Sequence, residues 1–266
     1  MKVAVIGLGR IGSGVSYLLA AAGHEVRGTD PSPEALEGFD GTVARTPAEA
    51  VDGADCALIA VFDDAQAHAV LDDLVNASSP APVAVVLSTV TVETVQRAYE
   101  QAAAHGVSLL DCGVSGGKEI RARRKMAASV GGDREAFTAV RPVLEAYADP
   151  VLYMGPSGTG MMAKIARNML HFSSVLADFE SLMVANAAGL DADAFRDFVL
   201  AADRNSGGRM GYGDRGDIAN DAGFLHYGVK DLAAATDLAA RLNVPVPEAS
   251  AAAEVYERLL AAIEDR

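Results

Sequence analysis

The stretch that decides the fold is KVAVIGLGRIG, residues 2–12 of a chain of 266 residues. The short apolar run KVAVI predicts a buried strand, and the GxGxxG pattern of Gly7, Gly9 and Gly12 predicts a tight turn into a helix. In such a turn the backbone N–H groups of the helix amino terminus point at a pyrophosphate. The stretch therefore predicts a dinucleotide-binding βαβ unit.

Asp30 comes at the end of the second expected strand, about 20 residues after the glycines, where a carboxylate can accept hydrogen bonds from the ribose of NAD. The alternative is that Asp30 merely begins the turn that Pro31 and Pro33 form. A carboxylate here repels the 2′-phosphate of NADP, no arginine follows it directly, and Arg27 precedes it at a poor position for a phosphate clamp. We therefore expect NAD to be the preferred cofactor, with NADP possible.

The overall composition excludes several classes of protein. Lys and Arg total 22 against 36 Asp and Glu, and the resulting net charge of −14 disfavours general binding to nucleic acids or anionic membranes. Two cysteines are too few for a disulfide framework and indicate a reducing compartment, so we expect a cytoplasmic protein. No apolar run is long enough to span a membrane, and no cluster of ligand residues suggests a metal.

Short apolar runs alternate with helical patterns in the first part of the chain. Strands are predicted at 2–6, 25–29, 56–61, 83–87, 108–111 and 151–154, and helices at 11–22, 65–75, 92–105 and 134–147. This rhythm predicts an α/β fold of the Rossmann type, a mostly parallel doubly wound sheet.

A glycine-rich hinge at 155–160 ends this pattern, and beyond it we expect only helices. They are predicted at 159–188, around 191–202, at 228–242 and at 247–264, with a flexible loop at 206–216. We therefore expect an NAD(P)-binding domain over 1–157 and an all-helical substrate and dimerisation domain over 158–266, with a long interdomain helix between them.

Two further motifs lie near these boundaries. DCGVSGG, residues 111–117, is expected just past a strand end, where its hydroxyl and N–H groups could bind a carboxylate or form an ordinary turn. Lys164 and Asn168 are four residues apart, so they share one face of a helix. Methionines and isoleucine surround them, which also fits a lysine whose stem simply covers apolar surface.

Taken together, these motifs resemble the β-hydroxyacid dehydrogenase family, typified by 3-hydroxyisobutyrate dehydrogenase. The matches are GLGRIG, Ser88-Thr89-Val90, VSGG at 114–117, the pattern GxxGxGxxxKxxxN at 155–168 and Lys230-Asp231-Leu232. They occur in the family's order and cover nearly the whole chain.

The resemblance implies a role for each matching residue. Lys164 would be the catalytic lysine, and Thr89 and Lys230 would lie near the cofactor. The residues that would bind the substrate are Ser115, Gly116, Gly117 and Asn168. The residues that would bind the cofactor are Gly7, Leu8, Gly9, Arg10, Ile11, Gly12, Asp30, Val61, Phe62, Thr89 and Lys230. The implied reaction moves a hydride between nicotinamide and a small anionic 3-hydroxy acid or semialdehyde, in a homodimer or homotetramer.

The chain also departs from the family pattern. Gly113 replaces the usual proline before VSGG, and RARRK at 121–125 replaces small residues. The basic segment is either a solvated turn or a rim that selects anions. These departures leave the substrate open.

Three other functions compete with this interpretation. Imine reductases share the architecture but generally lack the lysine, and 6-phosphogluconate dehydrogenases have a longer helical domain. A non-catalytic NAD-binding sensor or scaffold is the third, and the intact Ser115, Lys164 and Asn168 argue against it.

Overall fold

The computed structural model describes residues 1–116, 126–205 and 222–264. The chain divides into two units, Met1–Asn168 and Met169–Arg266. The basic segment 121–125 and the whole of the expected loop at 206–216 lie outside the described residues.

In the described part of the chain, eight strands form one sheet within the first unit. They are β1 (Lys2–Ile6), β2 (Glu25–Thr29), β3 (Thr42–Val43), β4 (Cys56–Ile59), β5 (Val83–Val86), β6 (Ser108–Ser115), β7 (Met126–Gly132) and β8 (Ala148–Gly155). Their order is β3-β2-β1-β4-β5-β6-β7-β8. Neighbouring strands run parallel except at the β6–β7 pair, which is antiparallel.

Helices connect these strands. They are α1 (Arg10–Ala21), α2 (Pro33–Leu36), α3 (Pro47–Val51), α4 (Asp64–Val75), α5 (Val92–Ala104) and α6 (Arg134–Tyr147). A long helix, α7 (Thr159–Ala187), follows, and the division between the two units falls within it. Asp63 and Asp133 cap α4 and α6 by accepting hydrogen bonds from backbone N–H groups in the first turn, which would otherwise have no partner.

The sheet is buried on both faces because its strands are apolar on both sides. Val3 and Val5 of β1 belong to one core cluster, whereas Ala4 and Ile6 belong to the other. Since successive side chains of a strand point to opposite faces, a continuous apolar run supplies both cores. Burying one such side chain, for example that of Leu58, contributes about 1.5–3 kcal/mol.

The second unit contains the remainder of α7 together with α8 (Ala192–Asn205), α9 (Ala222–Arg241) and α10 (Pro247–Glu264). Glu180 of α7 is buried and accepts hydrogen bonds from the backbone N–H groups of Glu248 and Ala249 at the start of α10. Within the described residues, no helix combines the length and apolar character that a membrane crossing needs.

The predicted fold class is confirmed: a mostly parallel sheet is followed by helices. The expected strand end at residue 111 is wrong, because β6 continues to Ser115, which pairs with Ala127 of β7. The DCGVS stretch is therefore strand, and the turn begins at Gly116, whose φ is +100°. The pattern did not predict β3 or β7, because β3 is very short and β7 contains few large apolar residues.

Candidate active site

A cleft of about 790 Å³ opens at the carboxyl ends of the parallel strands. Turns that follow β1, β2, β4 and β5 meet there, since parallel strands place their carboxyl ends at one edge of a sheet. Nine of the residues predicted from the sequence line it: Gly7, Gly9, Arg10, Ile11, Asp30, Val61, Phe62, Thr89 and Lys164. The volume lies in the range usual for small-molecule and cofactor sites.

The three glycines of the first turn have different reasons to be glycine. Gly7 has a φ of +92°, and a Cβ at this position would overlap the carbonyl oxygen of Ala60. A Cβ at Gly12 would overlap the carbonyl oxygen of Gly7, so the helix packs directly on the turn. A Cβ at Gly9 would meet nothing within 4 Å, and no side chain caps the helix that begins after it.

The uncapped start of α1 therefore faces the cleft with its backbone N–H groups and its positive dipole end. This is the arrangement that binds a pyrophosphate. Leu8 differs from its neighbours, since its side chain is buried in the core and its backbone N–H turns to Asp30.

Asp30 lies at the carboxyl end of β2. Its two carboxylate oxygens accept hydrogen bonds from the backbone N–H groups of Leu8 at 2.7 Å and Ser32 at 2.9 Å. An ionised carboxylate has about four acceptor positions, so it keeps capacity for ribose hydroxyls. Arg27 donates to the carbonyl oxygens of Glu49 and Asp52 and does not line the cleft.

Arg45 also lines the cleft, together with Asp30, and the sequence reasoning missed it. It follows the two-residue strand β3, and only the pairing of β3 with β2 brings it to this edge. Its Nε lies 3.3 Å from a carboxylate oxygen of Glu49, one helical turn later. The pair is exposed to solvent, so it offsets the positive charge of Arg45 only in part.

The floor of the cleft is held by Ser88, which was predicted only as part of a motif. Its hydroxyl accepts a hydrogen bond from the N–H of Val61 at 2.9 Å and donates one to the carbonyl oxygen of Val61 at 2.8 Å. The turn after β4 is thereby tied to the turn after β5. Phe62, which follows Val61, is 88% exposed, and Thr89, which follows Ser88, is exposed as well. Both are available to a bound molecule.

Lys164 lies on the second turn of α7 at the rim of this cleft. Its Nζ donates a hydrogen bond to the hydroxyl oxygen of Ser115 at 3.0 Å. The side chain is half-buried, and this burial lowers the pKa of Lys164 from its usual value, with a smaller contribution from the positive charge of Arg167. A lysine whose pKa is lowered in this way releases its proton more readily than an exposed one.

Two other predicted substrate residues adjoin this pair along the chain, one beside Ser115 and one beside Lys164. Gly116 follows Ser115 directly, and Asn168 is one turn beyond Lys164 on α7, with its Oδ1 accepting from Arg167 at 3.4 Å. Gly117 lies outside the described residues. Among the residues that are described, no group of three His, Cys, Asp or Glu side chains could hold a metal.

Comparison with known proteins gives two family matches that together cover nearly the whole chain. The NAD binding domain of 6-phosphogluconate dehydrogenase matches residues 2–155. The NAD-binding domain of NADP-dependent 3-hydroxyisobutyrate dehydrogenase matches residues 158–266. The chain belongs to the β-hydroxyacid dehydrogenase family. This β-hydroxyacid dehydrogenase is an oxidoreductase that uses NAD or NADP.

Individual relatives agree with the family assignment. A probable 3-hydroxyisobutyrate dehydrogenase of Mycobacterium bovis is 34% identical over 76% of this β-hydroxyacid dehydrogenase and 70% of its own length. An L-threonate dehydrogenase of Haemophilus influenzae is 32% identical over 96% of this chain and 88% of its own.

A solved imine reductase of Streptomyces aurantiacus has the same fold. Its TM-score is 0.86, with 24% identity over 99% of this β-hydroxyacid dehydrogenase and 95% of that chain. At this identity the similarity shows the fold alone.

Lys230 differs from the other predicted residues because it belongs to the second unit of this β-hydroxyacid dehydrogenase. It lies on α9, where its Nζ is 3.3 Å from a carboxylate oxygen of Asp231 and 5.7 Å from the centre of the Tyr227 ring. Its approach to the cofactor stays a prediction from the family resemblance.

Proposed function

We propose that this enzyme transfers a hydride between nicotinamide and a small anionic 3-hydroxy acid or its semialdehyde, with Lys164 as the general acid and base. The observation that carries the proposal is the half-buried Lys164 at the rim of the dinucleotide cleft, hydrogen-bonded to Ser115 at 3.0 Å. A lysine of lowered pKa beside a redox cofactor is suited to move the substrate's hydroxyl proton.

A bound NAD or NADP would supply the hydride chemistry, as hydride acceptor in oxidation and hydride donor in reduction. The chain has to handle the proton. In oxidation the neutral amine of Lys164 takes the hydroxyl proton, and in reduction the ammonium returns it. Because burial and Arg167 both disfavour the ammonium form, they increase the fraction of lysine that is ready to act as a base near neutral pH.

The substrate carboxylate would be held beside the lysine. Ser115 supplies a hydroxyl, and Gly116 supplies an N–H group with no side chain to block approach; the family resemblance adds Gly117 to this set. Asn168 can orient a substrate oxygen without adding charge. Two relatives act, by their names, on 3-hydroxyisobutyrate and L-threonate, which are both hydroxy acids. These names support a hydroxy acid as the substrate and do not identify which one.

The cofactor preference rests on the charges near the ribose. Asp30 lines the cleft, and its negative charge disfavours a 2′-phosphate. Arg45 would favour one, but Glu49 holds the Arg45 guanidinium in an ion pair. Because Asp30 lies at the ribose position and Glu49 places a second negative charge beside Arg45, we expect NAD to bind more tightly than NADP.

An exposed apolar face on α7 in the second unit supports an assembly of identical chains. Met169, Phe172 and Phe179 of α7 are 69%, 66% and 58% exposed and recur at helical spacing. A contiguous apolar face of this kind marks an interaction surface. A homodimer or homotetramer would cover it, and light scattering of the purified enzyme would give the mass.

Cys56 and Cys112 are free and buried, as a reducing compartment allows, and this supports a location in the cytoplasm.

A panel of small 3-hydroxy acids with NAD and NADP, read at 340 nm, tests the activity. On the best substrate, Lys164→Ala should lower kcat by about 10²–10⁴, the range for loss of a positioned proton-transfer group. NAD affinity should stay within a few-fold, because Asp30 and the glycine turn are untouched. Lys2→Ala is the matched control, since Lys2 is exposed at the amino end of β1, away from the cleft.

Two results would contradict the proposal. Tight NAD binding with no turnover on any hydroxy acid would favour a sensor or scaffold. Retention of more than about a tenth of kcat in Lys164→Ala would make the lysine structural, since general acid–base loss costs far more.

A further inference from the structure

One face of β6 contacts the beginning of α7 at three successive points. Asp111, Gly113 and Ser115 alternate along the strand, so they share one of its faces. Each meets a different part of the helix: its first turn, the stem of Lys164 and the amino group of Lys164. We call these three residues the β6 row.

Asp111 holds the first turn of the helix. Its side chain is 1% exposed, and its two oxygens accept hydrogen bonds from the N–H groups of Gly158 at 2.8 Å and Met161 at 2.6 Å. Burial raises the pKa of Asp111, and the hydrogen bonds from the helix N–H groups oppose that rise. The positive end of the helix dipole favours a carboxylate at this place.

Gly113 brings the lysine stem against the strand. A Cβ at this position would overlap the Cβ of Lys164 and lie 2.8 Å from the hydroxyl oxygen of Ser129. That hydroxyl contacts the carbonyl oxygens of Gly113 and Gly160, at 3.2 Å and 2.9 Å, and so links the strand to the helix again. The lysine therefore runs along bare backbone until its Nζ reaches Ser115.

We propose that Asp111 is a positioning residue, which sets the place of Lys164 by fixing the first turn of α7 on the β6 row. Met161 precedes Lys164 by less than one helical turn, so a shift of the first turn is passed directly to the lysine. Loss of the anchor would move the amino group away from Ser115 and out of its half-buried place. The expected loss of activity rests on the proposed role of Lys164. The expected displacement of its amino group does not depend on that role.

Asp111→Asn is the first test because the amide has the same shape as the carboxylate. One of its two terminal atoms becomes a donor and has to face a helix N–H, so one anchoring bond is lost and replaced by a donor–donor contact. We expect kcat on the best hydroxy acid to fall at least about tenfold, with the dissociation constant of NAD unchanged within about twofold. A fall in kcat without a change in the dissociation constant of NAD indicates a misplaced lysine, because general unfolding would weaken NAD binding as well.

Asp133→Asn is the matched control. Asp133 also accepts a hydrogen bond from a first-turn N–H group, that of Ala136 at 2.8 Å, but it belongs to α6 and does not line the cleft. Because Asp133 is exposed and asparagine caps a helix about as well as aspartate, this variant should keep its stability and leave kcat unchanged. An equal loss of kcat in Asp133→Asn would overturn the inference.

A second readout follows the lysine without turnover. Competitive acetylation with acetic anhydride, followed by mass spectrometry, gives the pKa of the Lys164 amino group. In Asp111→Asn this pKa should rise toward the ordinary lysine value of about 10.4, because the amino group regains water. An unchanged labelling pKa and kcat in folded Asp111→Asn would refute the inference. A labelling shift in an enzyme whose Lys164→Ala variant is active would instead refute only the catalytic role.

Gly113→Ala decides the matter if Asp111→Asn does not fold. It leaves the Asp111 anchor in place and adds one methyl group where the lysine stem lies. The same fall in kcat and rise in labelling pKa are expected. Wild-type values for both would show that the β6 row does not position the lysine.

Discussion

The hydroxyl of Ser115 is the polar contact through which β6 reaches the Lys164 amino group, and Ser115→Ala removes it while leaving the strand intact. The bond is 3.0 Å long, and its donor is a lysine amino group. A hydrogen bond to a charged group is worth about 1.5–3 kcal/mol net. At about 1.36 kcal/mol per tenfold change, kcat/KM should fall by about 10- to 150-fold.

Ser115→Thr is the matched control, because it keeps a hydroxyl at the same position on β6. Initial rates at 340 nm, measured over a range of hydroxy-acid and NAD concentrations, separate the effects on kcat from those on KM. The KM for NAD should not change in either variant. If Ser115→Ala keeps more than half of the wild-type kcat/KM, the hydroxyl does not organise the lysine. If kcat/KM falls as far in Ser115→Thr as in Ser115→Ala, the loss comes from the changed shape of the side chain and not from the missing hydroxyl.

The remaining predictions concern cofactor choice, pH dependence and stability. In calorimetric titrations the wild-type enzyme should bind NAD at least about tenfold tighter than NADP, a difference of ~1.4 kcal/mol. Glu49→Gln should narrow this difference, because it releases Arg45 from its ion pair. An unchanged ratio of the two dissociation constants would show that Arg45 does not influence the choice of cofactor. The rate of oxidation should increase as pH rises through the pKa of Lys164, since the neutral amine is the base. Arg167→Gln should move this increase to higher pH, because the nearby positive charge that lowers the pKa of Lys164 is gone. An unchanged pH dependence in Arg167→Gln would contradict the assignment of Lys164 as the base. Glu180→Gln should lower the free energy of unfolding in urea by about 0.5–2 kcal/mol, the cost of losing a helix cap, and a change in the NAD dissociation constant would argue against a purely structural role.

Local patterns determined the nucleotide-binding half of this protein. Apolar residues on both sides of β1 require a sheet covered on both faces, and the glycines at 7 and 12 require a turn with no room for a Cβ. Asp30 could be placed at the cleft because the carboxyl ends of parallel strands share one edge. These features follow from strand periodicity and backbone sterics, which act over a few residues.

The tertiary structure alone decided which distant groups meet. Arg45 reaches the cleft because a two-residue strand pairs with β2, and no pattern of that length is distinctive. Asp111 was expected to end its strand, but the pairing of β6 with β7 extends the strand to Ser115, and Asp111 holds the start of α7. Lys164 and Ser115 are separated by 49 residues. Their contact depends on how a strand and a helix pack, and periodicity along a single segment carries no information about that packing.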